Sequence, residues 1–473
     1  MATLLLSETF PRVFVWRRAK NCFHWKLSSV CSRWFEVPLL PSITSNRRYL
    51  SSPDFLELGY PRRQRSRAKF VVTFQDIEAA RERIADAVYY SPCRPSIPLS
   101  EITGMEIFCK FDNLQQTGSF KERGARNSLA QLSADQQKRG VIAASAGNHA
   151  QALAYQGKLL GIPATVVMPK FAPLVKVSNC QKLGATVVLH GRDFSEAKAR
   201  AHEIAKEKSL AYIDGYDDPA IIAGQGTMGL EIVEQTPDLE AVVIPVGGAG
   251  LIAGVSLAVK TLRPNAKVIA VEAENVASFS SALEAGKPTR IAIYPTLADG
   301  LAIPQVGSNA FQIAKPLVDL AVTVTEEQIA LAILRLVELE KSVVEGAAAT
   351  PLAACMAGKL KEHAGKRVVL LLCGGNIDPN VLSRVIERGL VADGRLGRFT
   401  AVISDRPGGL ADLAAQIAST GASIKQVVHD RAFASPDVSA VNVLCTVETR
   451  NHQHLAELRA LLKSRGVKTY DSK

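Results

Sequence analysis

Short apolar runs rich in β-branched residues recur along the middle of the chain, at 141–144, 164–168, 186–189, 241–246, 268–271 and 368–373. Longer alanine-rich stretches such as 150–160, 195–206 and 251–262 lie between them and have helix composition. Strands that are apolar throughout, alternating with helices, predict a parallel sheet covered on both faces, an α/β fold. Ahead of the first run, Thr73-Phe74-Gln75-Asp76 reads as a helix start of capping-box type, and Ile77, Ile84 and Val88 keep the apolar spacing behind it.

The last segment, 398–473, follows a different pattern. A strand at 399–404 runs into the turn Asp405-Arg406-Pro407-Gly408-Gly409, and the helix that follows carries Leu410, Leu413 and Ile417 on one face. Two strands at 423–429 and 438–448, a helix with Leu455, Leu458 and Leu462, and a short strand at 467–470 complete the order βαββαβ, the ferredoxin-like arrangement. Asp393-Gly394 and Gly397 mark the hinge before it.

Charge divides the chain differently. Of the 473 residues, the first 69 hold 13 Lys and Arg against 4 Asp and Glu, which leaves 43 against 41 for the rest. The net charge of +11 therefore belongs almost wholly to one end, and a nucleic-acid-binding core is not supported. This end also holds Trp16, Trp25 and Trp34, the chain's three tryptophans. Arginine- and serine-rich, acid-poor composition describes an organellar transit peptide, and Arg47-Arg48-Tyr49-Leu50-Ser51-Ser52 resembles a mitochondrial processing site. The expected address is mitochondrial, with a plastid address or a cytoplasmic protein with a mis-called start as alternatives. No apolar run reaches 18 residues, so no membrane span is expected. The eight cysteines form no C-x-x-C pair and fit no zinc spacing, and a chain with so large a core has little use for a disulfide framework. The expected domains are 1–69, a basic targeting segment; 70–390, a catalytic region with a smaller inner subdomain at about 105–220; and 398–473.

Four stretches carry candidate chemistry. The run at 241–246 leads into Gly247-Gly248-Ala249-Gly250 and then a helix opening at Leu251, where backbone N–H groups at a helix N-terminus can hold a phosphate. With Glu272 at the end of the next strand, this loop fits either a dinucleotide or a mononucleotide-sized cofactor, so an NAD(P)-dependent oxidoreductase stays open. Lys121 sits in Ser119-Phe120-Lys121-Glu122, between an aromatic residue and a small-residue turn; half-desolvated there, its amine becomes nucleophilic at neutral pH. Ser145-Ala146-Gly147-Asn148-His149 follows a strand and opens a helix, a turn suited to a carboxylate. Cys373-Gly374-Gly375-Asn376 again lies at a strand end, where open α/β sheets bind ligands.

In combination and order these four motifs resemble the pyridoxal-phosphate β-family (fold type II). Within it the chain is most similar to threonine dehydratases (threonine ammonia-lyases) that end in an ACT domain. The resemblance covers about 73–470 and leaves the basic segment outside. It implies a two-domain enzyme with parallel-rich sheets, a C-terminal ACT domain, pyridoxal 5'-phosphate as cofactor, and dehydration and deamination of L-threonine and L-serine to 2-oxobutanoate and pyruvate, a step of isoleucine biosynthesis. It implies that Lys121 bonds the cofactor and moves the α-proton, and that Phe120 packs near the ring. Asn148 contacts the ring hydroxyl, Gly247, Gly248, Ala249, Gly250 and Leu251 hold the phosphate, and Cys373 faces the pyridine nitrogen. Ser145, Ala146, Gly147, Asn148 and His149 hold the substrate carboxylate. Glycine is usual in the family where Ala249 stands, so an unstrained backbone is expected there. Serine racemases of the family carry an acid/base serine where this chain has Ala146, which sets racemase aside as the alternative, together with other β-family lyases and synthases. Glu272 matches a divalent-cation ligand, but Ser278 stands where the second carboxylate is expected, so no metal is counted on. Glu345 matches a position near the cofactor. The ACT resemblance implies an amino-acid effector near Asp405, Gly408 and Leu410, and a homo-oligomer, dimer or tetramer.

Overall fold

The computed structural model describes residues 71–430 and 439–471. The basic segment, and every expectation about targeting that rests on it, lies outside the described residues.

The capping box forms as read. Thr73 Oγ1 accepts from Asp76 N, and Thr73 N donates to Asp76 Oδ2 at 2.8 Å, opening the helix Phe74–Ile84.

Two sheets build the catalytic region. The larger runs, in spatial order, Cys93–Pro95, Glu106–Lys110, Arg367–Leu371, Ala241–Pro245, Lys267–Ala273 and Leu320–Val324. Its neighbours are parallel except the first pair, which is antiparallel and joined through the helix Ile97–Thr103. The smaller runs Thr186–Leu189, Ala164–Met168, Val141–Ala144 and Ala211–Tyr212, all parallel. Every residue of Val141–Ala144 and Ala241–Pro245 is buried, which is why both read as unbroken apolar runs rather than alternations. Each fully buried Val, Leu or Ile contributes about 1.5–3 kcal/mol by leaving water. Glu106–Lys110 falls near the expected start of the inner subdomain, yet it pairs with Arg367–Leu371 in the larger sheet; the smaller sheet begins at Val141.

The helix Pro219–Gln235 is buried from Ile221 to Val233 and packs against both Lys121–Ala130 and Gly250–Leu262. It approaches the first so closely that a Cβ on Gly224 would lie 2.6 Å from Gly124 Cα. Charge reinforces the contact. The Arg123 guanidinium, wholly buried, donates to both oxygens of Asp112 at 2.7 and 2.8 Å and to both of Glu231 at 2.6 and 2.9 Å. The buried Lys110 ammonium joins Glu231 and donates to Ser91 O at 2.6 Å. The network ties the end of strand Glu106–Lys110 to the two helices, and so fixes the helix that begins at Lys121.

The C-terminal sheet runs Ser423–Asp430, Ala440–Glu448, Leu396–Ser404, Lys468–Asp471, antiparallel throughout. Numbered in chain order this is 2-3-1-4, the ferredoxin-like arrangement that fits an ACT-like domain. Phe399, Leu413, Ile417, Val443, Leu458 and Leu462 make its core with the helices Gly409–Ser419 and His452–Ser464. Three details differ from expectation. Leu410 does not share the core with Leu413 and Ile417 but is 41% exposed in the first turn of its helix. The first strand starts at Leu396, so Gly397 is a strand residue pressed against Leu455 rather than a hinge. Gly394 does turn the chain, at φ +67°, after the helix Pro379–Ala392. Arg335 bonds both Glu338 and Asp393, and Arg395 bonds Glu338, so this turn is held by ion pairs to the helix Glu326–Leu339.

Candidate active site

Lys121 opens its helix, and the turn before it is stitched to the turn after strand Arg367–Leu371. Phe120 N donates to Cys373 O at 3.0 Å, Gly375 N donates to Gly118 O at 2.9 Å, and Ser119 bridges Gly374. Two motifs more than 250 residues apart are thereby one piece of backbone. The Lys121 ammonium donates to the carbonyl of Gly215 at 2.6 Å and lies 5.0 Å from the centre of the Phe120 ring. Burial pulls its pKa down to about 8, against opposing pulls from Asp214, Cys373 and Glu345.

The second wall is Ser145–His149, between strand Val141–Ala144 and helix Asn148–Leu160. Gly147 N turns back to Ser145 Oγ at 3.2 Å, and a Cβ on Gly147 would meet only open space. The ring of His149 is buried, faces Ile213 O at 3.2 Å, and is driven down to a pKa of about 4 by burial and by Lys121. It is a neutral packing residue at neutral pH.

The third wall is the glycine loop. Its helix, Gly250–Leu262, has no side-chain cap, so its first N–H groups have no partner from Ala249. A Cβ on Gly250 would collide with Tyr216 O, which is why glycine is required there. Ala249 corrects an expectation: its φ is +72°, a left-handed conformation that strains any residue with a Cβ. Gly307 N braces the loop from behind through Gly248 O at 3.1 Å.

All the residues expected around cofactor and substrate line one cavity of about 320 Å³. These are Phe120, Lys121, Ser145, Ala146, Gly147, Asn148, His149, Gly247, Gly248, Ala249, Gly250, Leu251 and Cys373, with Glu345 beside them. Burial pushes the Cys373 thiol well above its ordinary pKa, so it stays neutral. Burial, with Asp299 next, raises Glu345 to about 7.

Sequence reasoning missed the segment 214–216 and the pair at the mouth. Asp214 accepts from Tyr216 N and Asp217 N and pairs with Lys198 at 3.1 Å; Gly215 and Tyr216 also line the cavity. Lys176, on the helix Leu174–Lys182, pairs with Asp299 at 2.7 Å. A half-buried Asp-Gly-Tyr turn has no apolar period, and only its local composition marks it.

Glu272 stands apart from the cavity. Its carboxylate accepts from Phe279 N at 2.7 Å, Ser280 N at 2.8 Å and Ser280 Oγ at 2.6 Å, so it serves the start of helix Ser278–Ala285. Among the described residues no cluster of three or more His, Cys, Asp or Glu side chains is placed to hold a metal. Asp405, Gly408 and Leu410 lie at the turn into helix Gly409–Ser419, with Gly408 at φ +93° and Asp405 N donating to Ser439 O at 2.9 Å. No helix among the described residues is long and apolar enough to cross a membrane.

The family model for pyridoxal-phosphate dependent enzymes matches residues 84–374. An L-threonine ammonia-lyase of Thermotoga maritima is 44% identical over 396 residues, 84% of this chain and 98% of that protein. An L-threonine ammonia-lyase of Geobacter sulfurreducens is 42% identical over 82% of this chain and 97% of that one. Among solved structures, the processed form of threonine deaminase isoform 2 from Solanum lycopersicum has a TM-score of 0.64 at 37% identity, covering 66% of this chain and 91% of its own. Serine racemase from Dictyostelium discoideum has a TM-score of 0.62 at 36% identity, covering 65% of this chain and 99% of its own. With the family model matching residues 84–374, more than half of the chain, the chain belongs to the pyridoxal-phosphate-dependent enzyme family.

Proposed function

We propose that this protein eliminates water from L-threonine, and from L-serine beside it, and that water then hydrolyses the resulting enamine to ammonia and 2-oxobutanoate or pyruvate. One observation carries the reading: Lys121, the Ser145–His149 turn, the glycine loop and Cys373 converge on a single cavity. Relatives named L-threonine ammonia-lyase, alignable over more than four fifths of the chain, give the reaction its substrate.

The residues fit pyridoxal phosphate by their chemistry. The N–H groups opening helix Gly250–Leu262 suit a phosphate. The half-buried Lys121 amine, with a pKa of about 8, is a nucleophile at neutral pH and would bond the aldehyde carbon. The neutral Cys373 thiol would face the ring nitrogen. Bound there, the cofactor supplies an electron-withdrawing ring that stabilises charge developing at the amino acid's α-carbon. The Lys121 amine, neutral in part at pH 7, would be the base that removes the substrate α-proton. The N–H groups of the Ser145–His149 turn orient the substrate carboxylate. A neutral thiol cannot keep the ring nitrogen protonated as a carboxylate would, which limits the sink and favours loss of the β-hydroxyl. Ala146 has no proton to give to the opposite face, so D-serine should be a minor product despite the fold shared with serine racemases.

Three finer readings accompany this one. Residues 1–69 are a mitochondrial address, tested by fusing them to a fluorescent protein. The C-terminal domain is an ACT domain that assembles a homo-oligomer and binds an amino acid near Asp405, Gly408 and Leu410; calorimetric titration with isoleucine, valine and other amino acids tests it, and no heat with any of them counts against it. The 2-oxobutanoate formed serves isoleucine biosynthesis. The main reading is tested by loading the purified protein with pyridoxal phosphate and measuring 2-oxobutanoate from L-threonine. Activity in wild type and none in Lys121→Ala is expected; full activity in the variant overturns the assignment.

A further inference from the structure

Glu345 occupies the N-cap of helix Gly346–Met356, the place where an acidic side chain ordinarily accepts from its own helix. Its carboxylate makes no such bond. Instead Oε1, buried, accepts from Asn148 Nδ2 at 2.7 Å. Asn148 Oδ1 in turn accepts from Asn376 Nδ2 at 2.9 Å, and the same nitrogen donates to Thr117 O at 2.7 Å. The chain has one permitted direction. A backbone carbonyl can only accept, so the nitrogen of Asn376 must face Thr117; both its hydrogens are then used, and the oxygen of Asn148 must receive the second. The nitrogen of Asn148 is left to face Glu345, with one N–H still to give.

The backbone makes room for this chain at two glycines. Gly118, at φ +72°, would place a Cβ 2.6 Å from Asn376 Oδ1, and a Cβ on Gly374 would collide with Glu345 Oε1. Three separate segments, 117–118, 148 and 345, are thus drawn around the turn 374–376.

We infer that Glu345 and Asn376 are positioning residues that fix the Asn148 amide with its nitrogen, not its oxygen, offered to the ring oxygen of the cofactor. The inference rests on the cofactor reading above. Without the two partners the amide is free to rotate by half a turn, and its oxygen then opposes an ionised ring oxygen. Charged and titratable groups acting on Glu345 are Asp299, which raises its pKa, Lys176, which lowers it, and Lys121 and Cys373, which interact with it across the cavity.

The experiment compares wild type, Glu345→Ala, Glu345→Gln and Asn376→Ala by pyridoxal-phosphate affinity and by the position and pH titration of the visible absorption band, with thermal melts of each apoprotein. Glu345→Ala and Asn376→Ala should each bind the cofactor about tenfold or more weakly and shift the band, as expected for a lost charge-assisted hydrogen bond. Glu345→Gln, whose carbonyl still accepts from Asn148, should recover affinity to within about threefold of wild type. Wild-type affinity and band in both alanine variants overturn the inference, as does a lowered melting temperature with an unchanged band. Should Glu345→Ala fail to fold, Asn376→Ala against wild type decides alone. A wild-type protein that forms no band contradicts the cofactor reading itself, and is told apart by that result.

Discussion

The ammonium of Lys121 donates to the carbonyl oxygen of Gly215 at 2.6 Å, in a buried site that lowers the lysine's pKa to about 8. The neutral amine is the nucleophile, and its fraction grows as pH rises through that value. The rate at which apoprotein captures pyridoxal phosphate should therefore climb between about pH 7 and 9 with a midpoint near 8, once the cofactor's own titration is subtracted. A midpoint near the ordinary 10.5 contradicts the burial argument.

Arg123→Met removes one partner from a network in which Asp112 and Glu231 stay buried. Leaving buried Asp112 without its guanidinium, and Glu231 with Lys110 as its one remaining cation, costs about 3–5 kcal/mol. Denaturant unfolding of the variant should show a loss of that size, together with weaker cofactor binding because the helix starting at Lys121 loosens. A loss under about 1 kcal/mol would show that the network is dispensable.

At Ala249 the left-handed backbone separates two substitutions. Ala249→Gly relieves about 1 kcal/mol of conformational strain and adds a comparable freedom to the unfolded chain, so stability should stay within about 1 kcal/mol of wild type. Ala249→Val puts a branched side chain in the same conformation and should lower both melting temperature and cofactor affinity. Equal behaviour of the two variants would mean that the loop relaxes freely.

Asp299 carries a charge felt by Glu345, and that charge is the largest cause after burial holding the glutamate at about 7. Neutralising it in Asp299→Asn makes the ionised form of Glu345 less costly, so the pKa must fall. Infrared titration of the Glu345 carboxyl stretch, assigned with Glu345→Gln, should show the midpoint move below that of wild type; an upward move contradicts the electrostatics.

Much of the scaffold was legible because burial writes itself into composition. Val141–Ala144, Ala164–Met168 and Thr186–Leu189 begin and end where the apolar runs do, since these strands are bounded by turns. Thr73 and Asp76 declared the first helix through a local hydrogen-bond pattern. Leu410 was misjudged because helical spacing does not tell an exposed first-turn position from a core one. The four motifs around the cavity were legible as strand-end turns. Their long-range partners were not. Asn148 and Glu345 are 197 positions apart, and nothing local in either segment marks the bond between them. Gly215 and Tyr216 line the cavity from a turn with no apolar period to announce it. The strain at Ala249 is a property of φ, which one alanine in a glycine run does not reveal.

The central claim is that Lys121 holds pyridoxal phosphate and deaminates L-threonine. Its most direct measurement is the visible absorption spectrum of the loaded protein before and after L-threonine, followed by the yield of 2-oxobutanoate. The account predicts a band that shifts on adding L-threonine while 2-oxobutanoate accumulates, and no such band in Lys121→Ala. No band in the loaded wild type, or the same band persisting in Lys121→Ala, would contradict it.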